Sequence, residues 1–134
     1  MLKKYIPVAA RIVFALFYFY VGVKWFALHG LGDPVKDAVA ASTVLESAMA
    51  QSRFMNPLLA FGCLLGGAAL FFRRTAPLGI VLLAPIVIII FFFHLVVTGI
   101  WPWGALHLIW LTALAWHFRR GFDPLWNYPQ RAPH

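Results

Sequence analysis

Six residues of this chain have types that can do chemistry in company: Tyr20, Lys24, His94, Trp103, His107 and Trp110. An imidazole can donate or accept a hydrogen bond near neutral pH. An ammonium group donates, and phenol and indole rings stack while offering one polar atom each. His94 and His107 stand roughly six residues on either side of Ile100-Trp101, so a helical turn at that dipeptide puts them at similar depth. Trp103, His107 and Trp110 then share one helix face. Lys24 falls near the same end of its own apolar run, with Tyr20 one turn below it.

Three arrangements compete for these residues. In the first, each histidine bonds a neighbouring helix and the tryptophans form an interfacial belt. In the second, Lys24, His94 and His107 line a pocket for a quinone-like ring, one or another of them bonding a carbonyl oxygen, with Tyr20, Trp103 and Trp110 stacking around it. In the third, His94 and His107 ligate haem. His29 and His117 lie at the ends of apolar runs and read as interfacial. Other chemistry is absent from the pattern: there is no Gly-rich phosphate loop, no serine in a nucleophile motif and only one cysteine, Cys63. No self-contained catalytic constellation is visible, and no metal site is expected.

The elements that must position these residues are set by the solvent. The stretch APLGIVLLAPIVIIIFFFHLVV, residues 76–97, has no formal charge and would be about 33 Å long as a helix, enough to cross a bilayer. The chain is 63% hydrophobic and 11% charged, too little polar surface for a soluble domain of 134 residues. Its net charge of +7 sits at the ends of apolar runs rather than in a cluster with polar readers, which argues for membrane topology and against nucleic acid.

The expected fold is an all-α membrane protein, a single bundle of four transmembrane helices over residues 5–28, 57–72, 76–98 and 102–118. Between the first two, residues 34–52 alternate apolar and polar side chains and predict an amphipathic extracytoplasmic helix that caps the bundle. Pro85 predicts a kink, Thr98-Gly99 an end, and Arg119-Arg120 a stop before a tail over 119–134. Gly62, Gly66 and Gly67 allow close helix approach. Arg11 and Lys24 are expected to send their charges along long stems to opposite interfaces. One side of such a bundle carries Lys3, Lys4, Arg73, Arg74, Arg119, Arg120 and Arg131, the other Lys36 and Arg53. That bias puts both termini in the cytoplasm, in a bacterial inner membrane.

The run AARIVFALFYFYVGVKWF resembles the opening span of DoxX-like proteins, with Arg11, Gly22 and Lys24 at positions that family favours. Gly66-Gly67, an arginine turn and LLAPIVIIIFFFH are similar to its second and third spans, His94 included. The likeness covers about residues 10–124. One departure is chemical: an acidic residue is common before the paired glycines, where this chain has Gly62-Cys63-Leu64. The resemblance implies a compact four-helix membrane protein. It also implies an accessory or quinone-interacting subunit of a membrane redox complex, since some relatives are small subunits of quinone-linked oxidoreductases such as thiosulfate:quinone oxidoreductase. A non-catalytic scaffold or homo-oligomer is the alternative. Small-solute transport is further off, because the middle of every span is nearly devoid of polar groups.

Overall fold

A computed structural model describes residues 2–30 and 43–126. The described chain is helical throughout, with α1 (Leu2–His29), α2 (Val44–Gln51), α3 (Met55–Phe71), α4 (Ala76–Phe92), a π-helical extension of α4 (Phe93–Thr98), α5 (Trp101–His117), a 3-10 turn (Arg119–Phe122) and α6 (Asp123–Trp126). Two helical stretches are long and apolar enough to cross a membrane: Tyr5–His29, with mean hydropathy 1.9, and Ala76–Thr98, with mean hydropathy 3.1. In the second only 22% of the most apolar window is buried, so most of its apolar surface faces outward, which is compatible with a membrane protein. The other two expected spans appear as 17-residue helices, α3 and α5, each about 25 Å long and short of a hydrocarbon core of about 30 Å. Taken with α2, from which it bends by 90°, α3 would make a third candidate.

Boundaries follow local chemistry. α1 ends at Gly30 and the α4 extension at Gly99, both in the left-handed region at φ 60° and 73° where only glycine is unstrained. Pro77 and Pro102 stand in the first turns of α4 and α5, where a missing amide costs nothing. α4 continues through Pro85 to Phe92. Of the expected amphipathic helix over 34–52, the part up to residue 42 lies outside the described residues. The rest is α2, whose Thr43 and Glu46 form a capping box: Glu46 N–H donates to the Thr43 hydroxyl at 3.1 Å and Thr43 N–H to the Glu46 carboxylate at 3.0 Å.

Small residues decide which helices touch. α1 packs chiefly on α3, α3 on α4, and α4 on α5, while the backbones of α1 and α5 meet much more sparsely. A methyl group at Gly67 would stand 2.5 Å from the backbone nitrogen of Phe19, and one at Gly22 would stand 2.8 Å from the Ala60 carbonyl oxygen, so α1 and α3 meet backbone to backbone. On its other side α3 meets α4 through Gly66 and Gly79. The α1–α5 seam is built differently. Phe14, Phe17 and Tyr18 of α1 face Trp103, His107 and Trp110 of α5, and these rings hold the two backbones apart. The core between the helices is Phe14, Ala15, Tyr18, Leu70, Leu83, Val87 and Leu114, all nearly inaccessible.

Candidate functional site

The polar centre of the bundle lies in that aromatic seam. His107 is 6% exposed and Tyr18 1% exposed, and the Tyr18 hydroxyl stands 2.9 Å from His107 Nδ1. This is the one hydrogen bond the Tyr18 hydroxyl makes among the described residues; when the phenol donates in it, its only proton is satisfied and the imidazole carries its own on Nε2. Phe17, at 5.0 Å between ring centroids, and Trp103, at 4.9 Å, flank the imidazole. Nε2 makes no hydrogen bond and is not sealed in. Among the described residues Arg11 Nη1 is the one buried side-chain nitrogen or oxygen without a partner. An accessible ring nitrogen without a partner among the described residues therefore sits between two half-exposed aromatic rings in an apolar wall.

His94 stands nearby on the first residues of the π-helical extension of α4, a geometry that often marks functional positions. Its Nδ1 donates to the Ile90 carbonyl at 2.8 Å, which leaves Nε2 with a lone pair. Gly104, one turn before His107, lets the two helices close: a methyl there would lie 2.8 Å from the Phe91 Cα and 3.2 Å from the His94 Cβ. That closure leaves no space for a porphyrin between α4 and α5, so the two histidines do not fit haem as paired ligands. Among the described residues no group of three His, Cys, Asp or Glu side chains could hold a metal ion.

The six residues singled out above separate into two sets. His94, His107 and Trp103 come together. Trp110 joins them by tying the seam, its indole N–H donating to the Ala10 carbonyl at 3.2 Å while its ring packs on Phe14 at 5.5 Å. Tyr20 and Lys24 do not join. Both are exposed, with the Lys24 ammonium 5.8 Å from the Tyr20 ring centroid. They lie roughly opposite Tyr18 around α1, two and six residues on at about 100° per residue. The shared pocket of Lys24 with the two histidines is therefore not assembled. Arg11 departs from its expected course too: its side chain is 8% exposed, buried in the bundle.

Tyr18, Phe14, Phe17 and Arg11 were not singled out for the site. A stripe could have found Arg11 and Tyr18, since Arg11, Ala15, Tyr18, Gly22 and Trp25 recur at three- and four-residue steps with small residues interleaved. A separate apolar cavity of about 240 Å³ lies between α1, α3 and α4, lined by Val21, Trp25, Leu59, Cys63 and Ile86, with Asn56 its polar member. It has room for one ring or the end of a chain. Neither histidine lines it. No family model, no curated protein and no solved structure matches this chain.

Proposed function

We propose that the chain is a four-span membrane protein that holds a quinone-like headgroup at His107, as an accessory subunit of a membrane redox complex. The observation that carries this reading is the Tyr18–His107 hydrogen bond, which leaves His107 Nε2 accessible between Phe17 and Trp103 as a donor to a ring carbonyl when the phenol donates to Nδ1. A ring carbonyl arriving from the bilayer needs one placed donor and aromatic walls, and the seam supplies both. A quinone bound there supplies the two-electron redox chemistry that the side chains lack. His107 orients the ring, Phe17 and Trp103 exclude water, and the His94 lone pair is available to a ligand hydroxyl. The resemblance to DoxX-like proteins points the same way.

The short helices α3 and α5 complete four spans when aromatic residues at their ends, such as Phe72, Trp101 and Trp116, extend them into the headgroups. A scaffold role is the second reading, favoured by Trp110 and Tyr18, which spend their polar atoms on interhelix bonds.

Purification in mild detergent tests the proposal. Chloroform extraction of the native protein should yield about one quinone per chain, together with a redox partner that co-purifies. Protein that folds, carries no quinone and takes none up when it is added would sink it. Topology has its own test, with a membrane-impermeant maleimide. Gln51→Cys should label in intact cells and Arg74→Cys only after permeabilisation, with buried Cys63 silent in both. The reverse pattern would invert the bundle.

A further inference from the structure

The cavity between α1, α3 and α4 is the space that the histidine site does not use. Val21 and Trp25 of α1, Asn56, Leu59 and Cys63 of α3 and Ile86 of α4 line its volume of about 240 Å³. It lies at the end of the bundle where α1 finishes and α3 begins, since Trp25 stands one turn before the end of α1 and Asn56 in the first turn of α3. Packed interiors leave few voids larger than a water molecule, and the walls here are not slack. A methyl at Gly22 would lie 2.8 Å from the Ala60 carbonyl oxygen, and one at Gly62 would lie 2.7 Å from the Ile86 Cδ1. The helices therefore already touch beside the cavity and cannot close further to fill it.

Size and lining restrict what can enter. An apolar cavity of about 150 Å³ takes a benzene ring, so this one has room for a ring and a substituent. No residue that lines it carries a charge, which rules out a carboxylate or an ammonium group brought in without a counter-ion. One wall is held in place before any ligand arrives. His29 stacks on the Trp25 ring at 5.1 Å between centroids and 17° between planes, and its Nδ1 donates to the Trp25 carbonyl at 3.0 Å. Asn56 brings an amide to an otherwise apolar lining, with both a donor and an acceptor, and its side chain makes no hydrogen bond among the described residues. A hydrocarbon chain would leave that amide unused, and a water cluster would need more polar partners than the walls supply.

We propose that the cavity binds a neutral, single-ring aromatic compound with one hydroxyl or carbonyl group, its ring among Trp25, Leu59, Cys63 and Ile86 and its polar group on the Asn56 amide. Such a molecule matches the lining in kind, with a large apolar body and one placed hydrogen bond. The inference rests on the cavity alone, and neither histidine of the quinone site takes part in it.

Cys63 is the only cysteine of the chain and lines the cavity, so its modification reports occupancy. The reagent is methyl methanethiosulfonate, neutral and small enough to enter where a charged maleimide does not, and intact mass reads the product. In detergent, 4-methylphenol should protect the thiol of the full chain, and toluene, which has the same ring without the hydroxyl, should protect it at higher concentration. Asn56→Leu should raise the concentration of 4-methylphenol needed about fivefold, as loss of one hydrogen bond does, and leave that of toluene unchanged. Comparing each ligand with itself cancels its partition into micelles. Protection by neither ligand overturns the proposal, and so does an equal change for both or no change for either. If the thiol resists the reagent in every sample, thermal unfolding decides. The phenol should then raise the midpoint of the wild type more than that of Asn56→Leu, and equal shifts overturn the proposal. His107→Ala should lose quinone and keep the protection of Cys63, while Asn56→Leu should keep quinone, so failure of one reading is distinguishable from failure of the other.

Discussion

Gly67→Ala should separate α1 from α3 and cost the protein about 3 kcal/mol or more, the upper end of what overpacking does. The added methyl would lie 2.5 Å from the Phe19 backbone nitrogen and 3.0 Å from both the Phe19 Cα and the Ala15 carbonyl oxygen. None of these atoms can rotate away, so relief requires moving a whole helix. The loss is then the close packing that holds membrane helices together where lipid gives no hydrophobic drive between them. Gly62→Ala is the matched control. Its methyl meets only the end of the Ile86 side chain, at 2.7 Å from Cδ1, and a rotamer change relieves it. Reversible unfolding in mixed micelles should show Gly62→Ala within about 1 kcal/mol of the wild type. Equal stability of the two variants would mean that α1 and α3 do not meet as described.

The same glycines show how far the sequence could be read. A run of small residues in an apolar segment is legible, and so is the consequence that helices approach there. What the pattern lacked was direction. Gly66 and Gly67 are adjacent in the chain, yet one faces α4 and the other α1, because neighbouring residues on a helix point about 100° apart. Span ends were legible for a similar local reason: Gly99 and Pro102 act through their own backbone geometry and need no partner. The π-helical extension at Phe93–Thr98 was not, since nothing in FHLVVT distinguishes that winding from an ordinary turn.

For the site, depth was readable and azimuth was not. Counting residues from the Ile100-Trp101 turn brought His94 and His107 together, and the structure puts them on facing helices across Gly104. Lys24 matched them in depth but faces away, because it stands off the stripe of Arg11, Ala15, Tyr18, Gly22 and Trp25 that marks the inner face of α1. In FALFYFY aromatic residues stand at almost every position, so Tyr18 differs from Tyr20 only by its step from Ala15 and to Gly22, and its partner His107 is visible only in the structure. Arg11 shows the converse. A charge in a span was read as reaching for the surface, whereas its position on the stripe with Ala15, Tyr18 and Gly22 turns it inward.

His107→Ala should lower retained quinone about tenfold in protein that still folds, the loss of one hydrogen bond of about 1.4 kcal/mol. The folding cost is bounded by what the imidazole does for the bundle. It accepts the Tyr18 hydroxyl, a bond worth about 0.6–2 kcal/mol between membrane helices, and fills space between Phe17 and Trp103. Tyr18→Phe separates the two roles. It keeps the ring that packs on Phe14 at 4.8 Å and removes only the oxygen, so the bundle should lose no more than that one bond. The imidazole, however, loses the group that holds its proton on Nε2. Either nitrogen can then carry the proton, and in the Nδ1–H form the atom facing the seam repels a carbonyl oxygen rather than bonding it. Retention should therefore fall in Tyr18→Phe, by less than in His107→Ala, while stability changes little. If both variants lose stability yet keep their quinone per folded chain, the Tyr18–His107 pair is an interhelix tie and the scaffold reading takes its place.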